Sequence, residues 1–120
     1  MKAASLALVG LLAGFPALAG EADVIAAKVD HRSGRIYDFD VTIRSNDSGW
    51  DRYADLIEVL GPDGKVLSTR VLEHPHEQEQ PFTRDVYGVE IPRGITEVTI
   101  RARFKPVGFD GTTLRVAVPR

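Results

Sequence analysis

Between residues 37 and 44 every second position is apolar: Tyr37, Phe39, Val41 and Ile43 alternate with Asp38, Asp40, Thr42 and Arg44. A period of two places one set of side chains on each face of an extended strand, so this segment reads as a strand with one wet face. The same period recurs at Val98, Ile100, Ala102 and Phe104, set against Thr99, Arg101 and Arg103. It recurs again at Tyr87, Val89 and Ile91 within a strand expected over 83–91, and at Leu114, Val116 and Val118. Residues 22–31 alternate more weakly, with Val24 and Ala26 on one side and Ile25, Ala27 and Val29 on the other, which suggests an edge strand. Residues 53–60 are apolar on both sides except for Asp55 and Glu58. Gly61-Pro62-Asp63-Gly64 follows, where proline presets one turn dihedral and glycine supplies a positive φ; a hairpin back through 66–72 is expected. Ser33-Gly34, the 45–49 loop, Pro92-Arg93-Gly94 and the loop 106–111 supply further breaks.

No segment sustains a helical period. About seven short strands separated by turns predict an all-β, antiparallel two-sheet β-sandwich, immunoglobulin- or fibronectin-like. The expected inward set is Phe39, Val41, Ile43, Ile57, Val59, Tyr87, Val89, Ile91, Val98, Ile100, Ala102, Phe104, Leu114 and Val116. The chain contains no cysteine, so a disulfide between the sheets is excluded and burial alone must hold them.

The alternation fails in two places. At the N-terminus Lys2 precedes an apolar run, 3–12, and Ala17-Leu18-Ala19 has the small-x-small form of a leader-peptidase site. We expect residues 1–19 to be a signal peptide and 20–120 a single domain, with cleavage after Ala22 as the weaker alternative. A membrane anchor is disfavoured, because the uninterrupted run is short of the ~20 apolar residues a span needs and Pro16 follows it. With no cysteine after the run, lipid attachment there is excluded too. The expectation is a periplasmic or secreted protein without stable membrane insertion. Once Lys2 leaves, 17 acidic residues face 15 − 1 = 14 basic ones, a net charge of −3, which argues against nucleic acid as a partner.

The second failure lies mid-chain, in His74-Pro75-His76-Glu77-Gln78-Glu79-Gln80-Pro81-Phe82-Thr83-Arg84. Pro75 forces an extended conformation on His74, so the imidazoles of His74 and His76 fall on one side. Two such imidazoles form half of a zinc or cupric site, with Glu79 or Glu77 as an oxygen donor and His31 as a further nitrogen. The competing reading, which we rank first, is that His74, His76 and Glu79 bond the backbone of an irregular crossover anchored by Phe82. No cofactor is called for on that reading.

Three other groups offer candidate chemistry. Asn46, Asp47, Asp51 and Asp55 offer oxygens for calcium, but without EF-hand spacing, and a solvated turn ranks higher. Arg84, Arg101 and Arg103 could grip a carboxylate or a phosphorylated or sulfated ligand; cross-strand pairing with Asp55, Glu58 or Glu90 ranks higher. Trp50 is either a ligand platform or, by preference, a plug at the end of the sandwich.

Gly49-Trp50-Asp51, Tyr53-Ala54-Asp55, His74-Pro75-His76, Glu79-Gln80-Pro81-Phe82-Thr83-Arg84, Ile91-Pro92 and Arg101-Ala102-Arg103 together resemble an uncharacterised family of small exported proteobacterial β-domain proteins. The resemblance runs from residue 49 to 119. It implies a compact exported β domain and carries over no catalytic residue. Asp110 departs from it, standing where a small residue is expected before Gly111. No nucleophile elbow, phosphate loop or His-Glu-x-x-His is present. The sequence therefore points to a non-enzymatic binding or interaction domain of the bacterial cell envelope, its partner an envelope protein or small ligand. Binding candidates are His74, His76, Glu79, Arg84, Trp50, Arg101 and Arg103. The alternative is a periplasmic zinc or copper domain using His74, His76 and Glu79.

Overall fold

A computed structural model describes residues 19–120; the expected leader falls almost wholly outside them. Seven strands run in order: β1 (Ala22–Ser33), β2 (Ile36–Ser45), β3 (Tyr53–Leu60), β4 (Val66–Val71), β5 (Phe82–Glu90), β6 (Glu97–Lys105) and β7 (Leu114–Ala117). They form two antiparallel sheets, β1-β2-β5 and β4-β3-β6-β7. The fold is the expected β-sandwich, with no helix among the described residues. The β3–β4 hairpin turns through 61–64 as its chemistry requires: Gly64 has φ 84°, and Gly61 donates to the carbonyl of Lys65 at 2.9 Å.

The core is built from the two-residue periods. Phe39, Val41 and Ile43 of β2 face Ile57 and Val59 of β3 and Val98, Ile100, Ala102 and Phe104 of β6, all buried. Each valine, isoleucine or phenylalanine among them contributes about 1.5–3 kcal/mol of transfer free energy before ordering entropy is counted. Leu114 and Val116 of edge strand β7 are only partly covered, and Val118 beyond it is buried.

One inward assignment is wrong. Tyr87 is 55% exposed and Val86 occupies the core position. The cause is a β-bulge: Tyr37 pairs with Val89 and Phe39 with Val86, so Tyr87 and Gly88 together oppose Asp38. Gly88 takes φ 71°, which an L side chain resists, and its N–H donates to Asp38 at 2.8 Å. A similar shift between Val24 and Ala26 leaves Ile25 outside and turns Ala27 and Val29 inward, which explains the weak alternation of β1.

The edge strands β4 and β5 carry inward charges. Arg70 pairs in register with buried Ile57, and Arg84 with buried Val41. Arg70 Nε donates to the carbonyl of Asp85 at 2.9 Å, closing the seam between the two sheets. Charge directed inward at an edge also blocks pairing with a foreign strand.

Candidate functional site

The two ends of the sandwich differ. One end is closed by the short connections 34–35, 61–65 and 91–96; the other carries the long loops 46–52, 72–81 and 106–113. Loops held by a rigid scaffold are where such folds place binding residues.

The first two loops are clasped together by Asp47, whose side chain is 0% exposed. Its Oδ1 accepts from the Ser45 hydroxyl at 2.7 Å and from the Ala54 amide at 2.9 Å; its Oδ2 accepts from the His76 amide at 2.8 Å. Gln80 completes the clasp. Its Oε1 accepts from the Ser45 amide at 2.8 Å, and its Nε2 donates to the carbonyl of His76 at 2.9 Å. The 72–81 crossover is thus ordered through side chain–backbone bonds, as its polarity demands. The expected pins are not the ones used. His74 and Glu79 are exposed: His74 Nδ1 meets only the carbonyl of Pro75 at 3.0 Å, and Glu79 accepts from Arg84 at 3.1 Å. Partners as distant as His76 from Asp47 and Ser45 from Gln80 leave no local signal, so Asp47 reads only as a member of a solvated acidic turn and Gln80 as an ordinary polar loop residue.

Phe82 is the apolar anchor, and His76 lies flat upon it, with ring centroids 4.0 Å apart and planes 10° apart. The His74 ring covers His76 at 4.4 Å and 37°. His76 is buried, and neither ring nitrogen has a hydrogen-bond partner; Nδ1 is 3.9 Å from Asp47 Oδ2, beyond bonding range. Burial, reinforced by the Arg84 guanidinium and the adjacent His74 ring, holds the imidazole below its ordinary value of 6.5, while Asp47 and Glu79 pull the other way. His76 is therefore a neutral aromatic slab inside a polar crossover.

Trp50 is not a plug: it is 64% exposed. That end of the core is already covered, Phe82 by His76 and Phe104 by the Arg52 guanidinium 5.3 Å from its ring centre. The indole instead rides a tight turn in which Arg52 donates to Gly49 at 3.1 Å and Ser48 to Arg52 at 2.9 Å. Gly49 takes φ 149°, and Tyr53 supports the indole edge-on at 5.8 Å. Val107 and Phe109 are exposed on the neighbouring 106–113 loop.

The arginine trio is not brought together. Arg84 belongs to β5 in one sheet, Arg101 and Arg103 to β6 in the other. The expected cross-strand pairs do form: Arg101 to Glu58 at 2.7 Å and Arg103 to Asp55 at 3.0 Å. Phe109 stacks on Arg101, with the guanidinium carbon 3.8 Å from its ring centre, while Glu90 pairs with Arg35. The acidic group is dispersed as well, since Asp47 points inward and Asp55 pairs on the outer face. His31 is on β1, stacked on Tyr37 at 4.6 Å, with Nε2 at 2.6 Å from the carbonyl of Gly34. Among the described residues no group of three His, Cys, Asp or Glu side chains is placed to hold a metal ion.

A protein of the archaeon Halomicrobium mukohataei, described as a "Putative lipoprotein", is 35% identical to the chain over 96 residues. The match covers 80% of the chain and 47% of that protein, so the chain spans about half the length of this curated relative. No protein-family model matches the chain, and no solved structure matches it. This relative is archaeal, which does not match the proteobacterial family expected from the motifs.

Proposed function

We propose that the protein is a non-enzymatic, exported β-sandwich that binds a partner protein or small ligand in the cell envelope through its long-loop end. The observation that carries this reading is Trp50, a large aromatic held in the open on a turn braced from inside by buried Asp47. An exposed indole on a rigid support offers broad contact area at little ordering cost, and such residues dominate binding energy at interfaces. The leader-like N-terminus supports export, and the printed description of the archaeal relative supports an envelope setting. On this reading the chain is one of the small exported β domains its motifs resemble in proteobacteria.

The test is capture of envelope proteins on immobilised exported protein, comparing the natural chain with Trp50→Ala and with Arg93→Ala at the short-turn end. A protein retained by the natural chain and by Arg93→Ala should be lost with Trp50→Ala. Unchanged capture by Trp50→Ala would overturn the reading.

A second reading, a zinc or cupric ion at His74 and His76 with Glu79, is favoured by one observation: two adjacent imidazoles of which His76 has no partner on either nitrogen. Glu79 would have to leave Arg84 to join them. Excess zinc or cupric ion should then raise the melting temperature by mass action, and the rise should vanish in the His74→Ala, His76→Ala double variant. No rise in the natural protein removes this reading.

A further inference from the structure

At the start of β1 lies a buried carboxylate that the binding reading does not use. The side chain of Asp23 is 3% exposed. Its Oδ1 accepts from the Gly20 backbone nitrogen at 2.9 Å and from the Thr112 amide at 2.7 Å; its Oδ2 has one cationic neighbour, Arg44 at 3.4 Å. The donors closest to this negative charge are two neutral amides. The surroundings are built for close approach: a Cβ on Gly20 would meet the carbonyl oxygen of Asp110 at 2.6 Å, and one on Gly111 the carbonyl oxygen of Ala22 at 1.7 Å. Asp110, the residue that departs from the resemblance, accepts from the Glu21 amide at 3.2 Å. The segment from Gly20 onward is therefore docked, and its first nitrogen faces Asp23.

We propose that hydrolysis of the Ala19–Gly20 bond creates an α-ammonium group at Gly20 that pairs with the buried carboxylate of Asp23, so that leader removal completes the fold. This rests on the leader reading of the sequence and is independent of the binding surface. An exported-protein peptidase adds water across the amide: hydroxyl goes to the carbonyl carbon of Ala19, and the departing Gly20 nitrogen takes up protons to become an ammonium at neutral pH, as Ala19 is released as a carboxylate. A charged donor bonds a carboxylate more strongly than an amide does. The charged groups facing this nitrogen are Asp23 and Glu21 of its own segment, Asp110 from the 106–113 loop, Arg44 from β2, and Arg52, which pairs with Glu21. Cleavage after Ala22 would instead remove Glu21, whose carbonyl accepts from the Asn46 amide at 2.9 Å.

Pairing raises the folded pKa of the ammonium above its ordinary value of about 8, so its stabilisation is present below that value and lost as pH rises through the folded value. The exported protein is compared with the full chain made without export, which keeps residues 1–19, and with exported protein acetylated at the α-amine under mildly acidic conditions. At pH 6–7 the exported form should melt about 5 °C higher than the other two, and the gap should close by about pH 10. Asp23→Asn should abolish the gap; if that variant does not fold, acetylation decides alone. Acetylation without effect on melting overturns the ion pair. Mass spectrometry of the exported protein should give Gly20 as first residue, and any other first residue overturns the maturation step.

Discussion

Asp47→Ala is the change expected to do most damage to the loop end. The carboxylate satisfies three donors: the Ser45 hydroxyl and the amides of Ala54 and His76. The hydroxyl is free to rotate, and its oxygen keeps the bond it accepts from Gln80 Nε2 at 3.2 Å. The two amides cannot move without disrupting β3 or the crossover. A buried donor left unpaired costs about 1–3 kcal/mol, so two cost about 2–6 kcal/mol, with a small cavity in addition. That is a large share of the ~5–15 kcal/mol that holds a domain of this size. Denaturant titration at neutral pH should show the midpoint falling with an unchanged slope, which marks lost stability rather than a changed denatured state. Asp47→Asn should cost less, since its carbonyl can still serve one or two of the donors. A loss below about 1 kcal/mol for Asp47→Ala would mean that the crossover is held by Phe82 and Gln80 alone, and the reasoning would fail.

Three further outcomes are expected. Because the fold holds His76 neutral, the unfolded chain binds more protons below pH 6.5; the stabilisation is complete above 6.5 and is lost as pH falls toward the lower folded value. His76→Phe should flatten this acid slope, as measured by melting temperature between pH 7 and 5; an unaltered slope would assign it to other groups. Arg101→Ala should cost about 1 kcal/mol in denaturant melts, combining a half-buried pair with Glu58 and the stacking of Phe109; a loss above about 3 kcal/mol would indicate a buried network. Gly111→Ala should cost at least about 3 kcal/mol, because its Cβ would enter the backbone of Ala22; near-normal stability would show that this contact yields easily.

The period of two was most legible where no bulge interrupts it. In β6 the period of two runs unbroken from Val98 to Phe104, and every apolar position is buried. In β5 one extra residue reverses the parity, so Tyr87 reads as core and lies outside. Gly88 was the available signal, since an isolated glycine inside a strand pattern marks a bulge. The crossover was recognisable as a place where alternation stops, and Phe82 as its anchor. Its true clasps were not, because Asp47 and Gln80 reach partners 29 and 35 residues away, and sequence spacing says nothing about such pairs. Trp50 was misjudged for a similar reason: the plug position is filled by His76 and Arg52, two polar residues whose stacking on Phe82 and Phe104 has no sequence signature.

The central claim is that the long-loop end, with Trp50 at its tip, is where the protein meets its partner. The most direct measurement is site-specific photo-crosslinking in the exporting cell, with a photoreactive side chain placed at position 50 in one strain and at position 93, on the opposite end, in another. The account predicts a discrete covalent adduct from position 50 and none from position 93. An adduct from position 93 with none from position 50, or no adduct from position 50 at all, would contradict it.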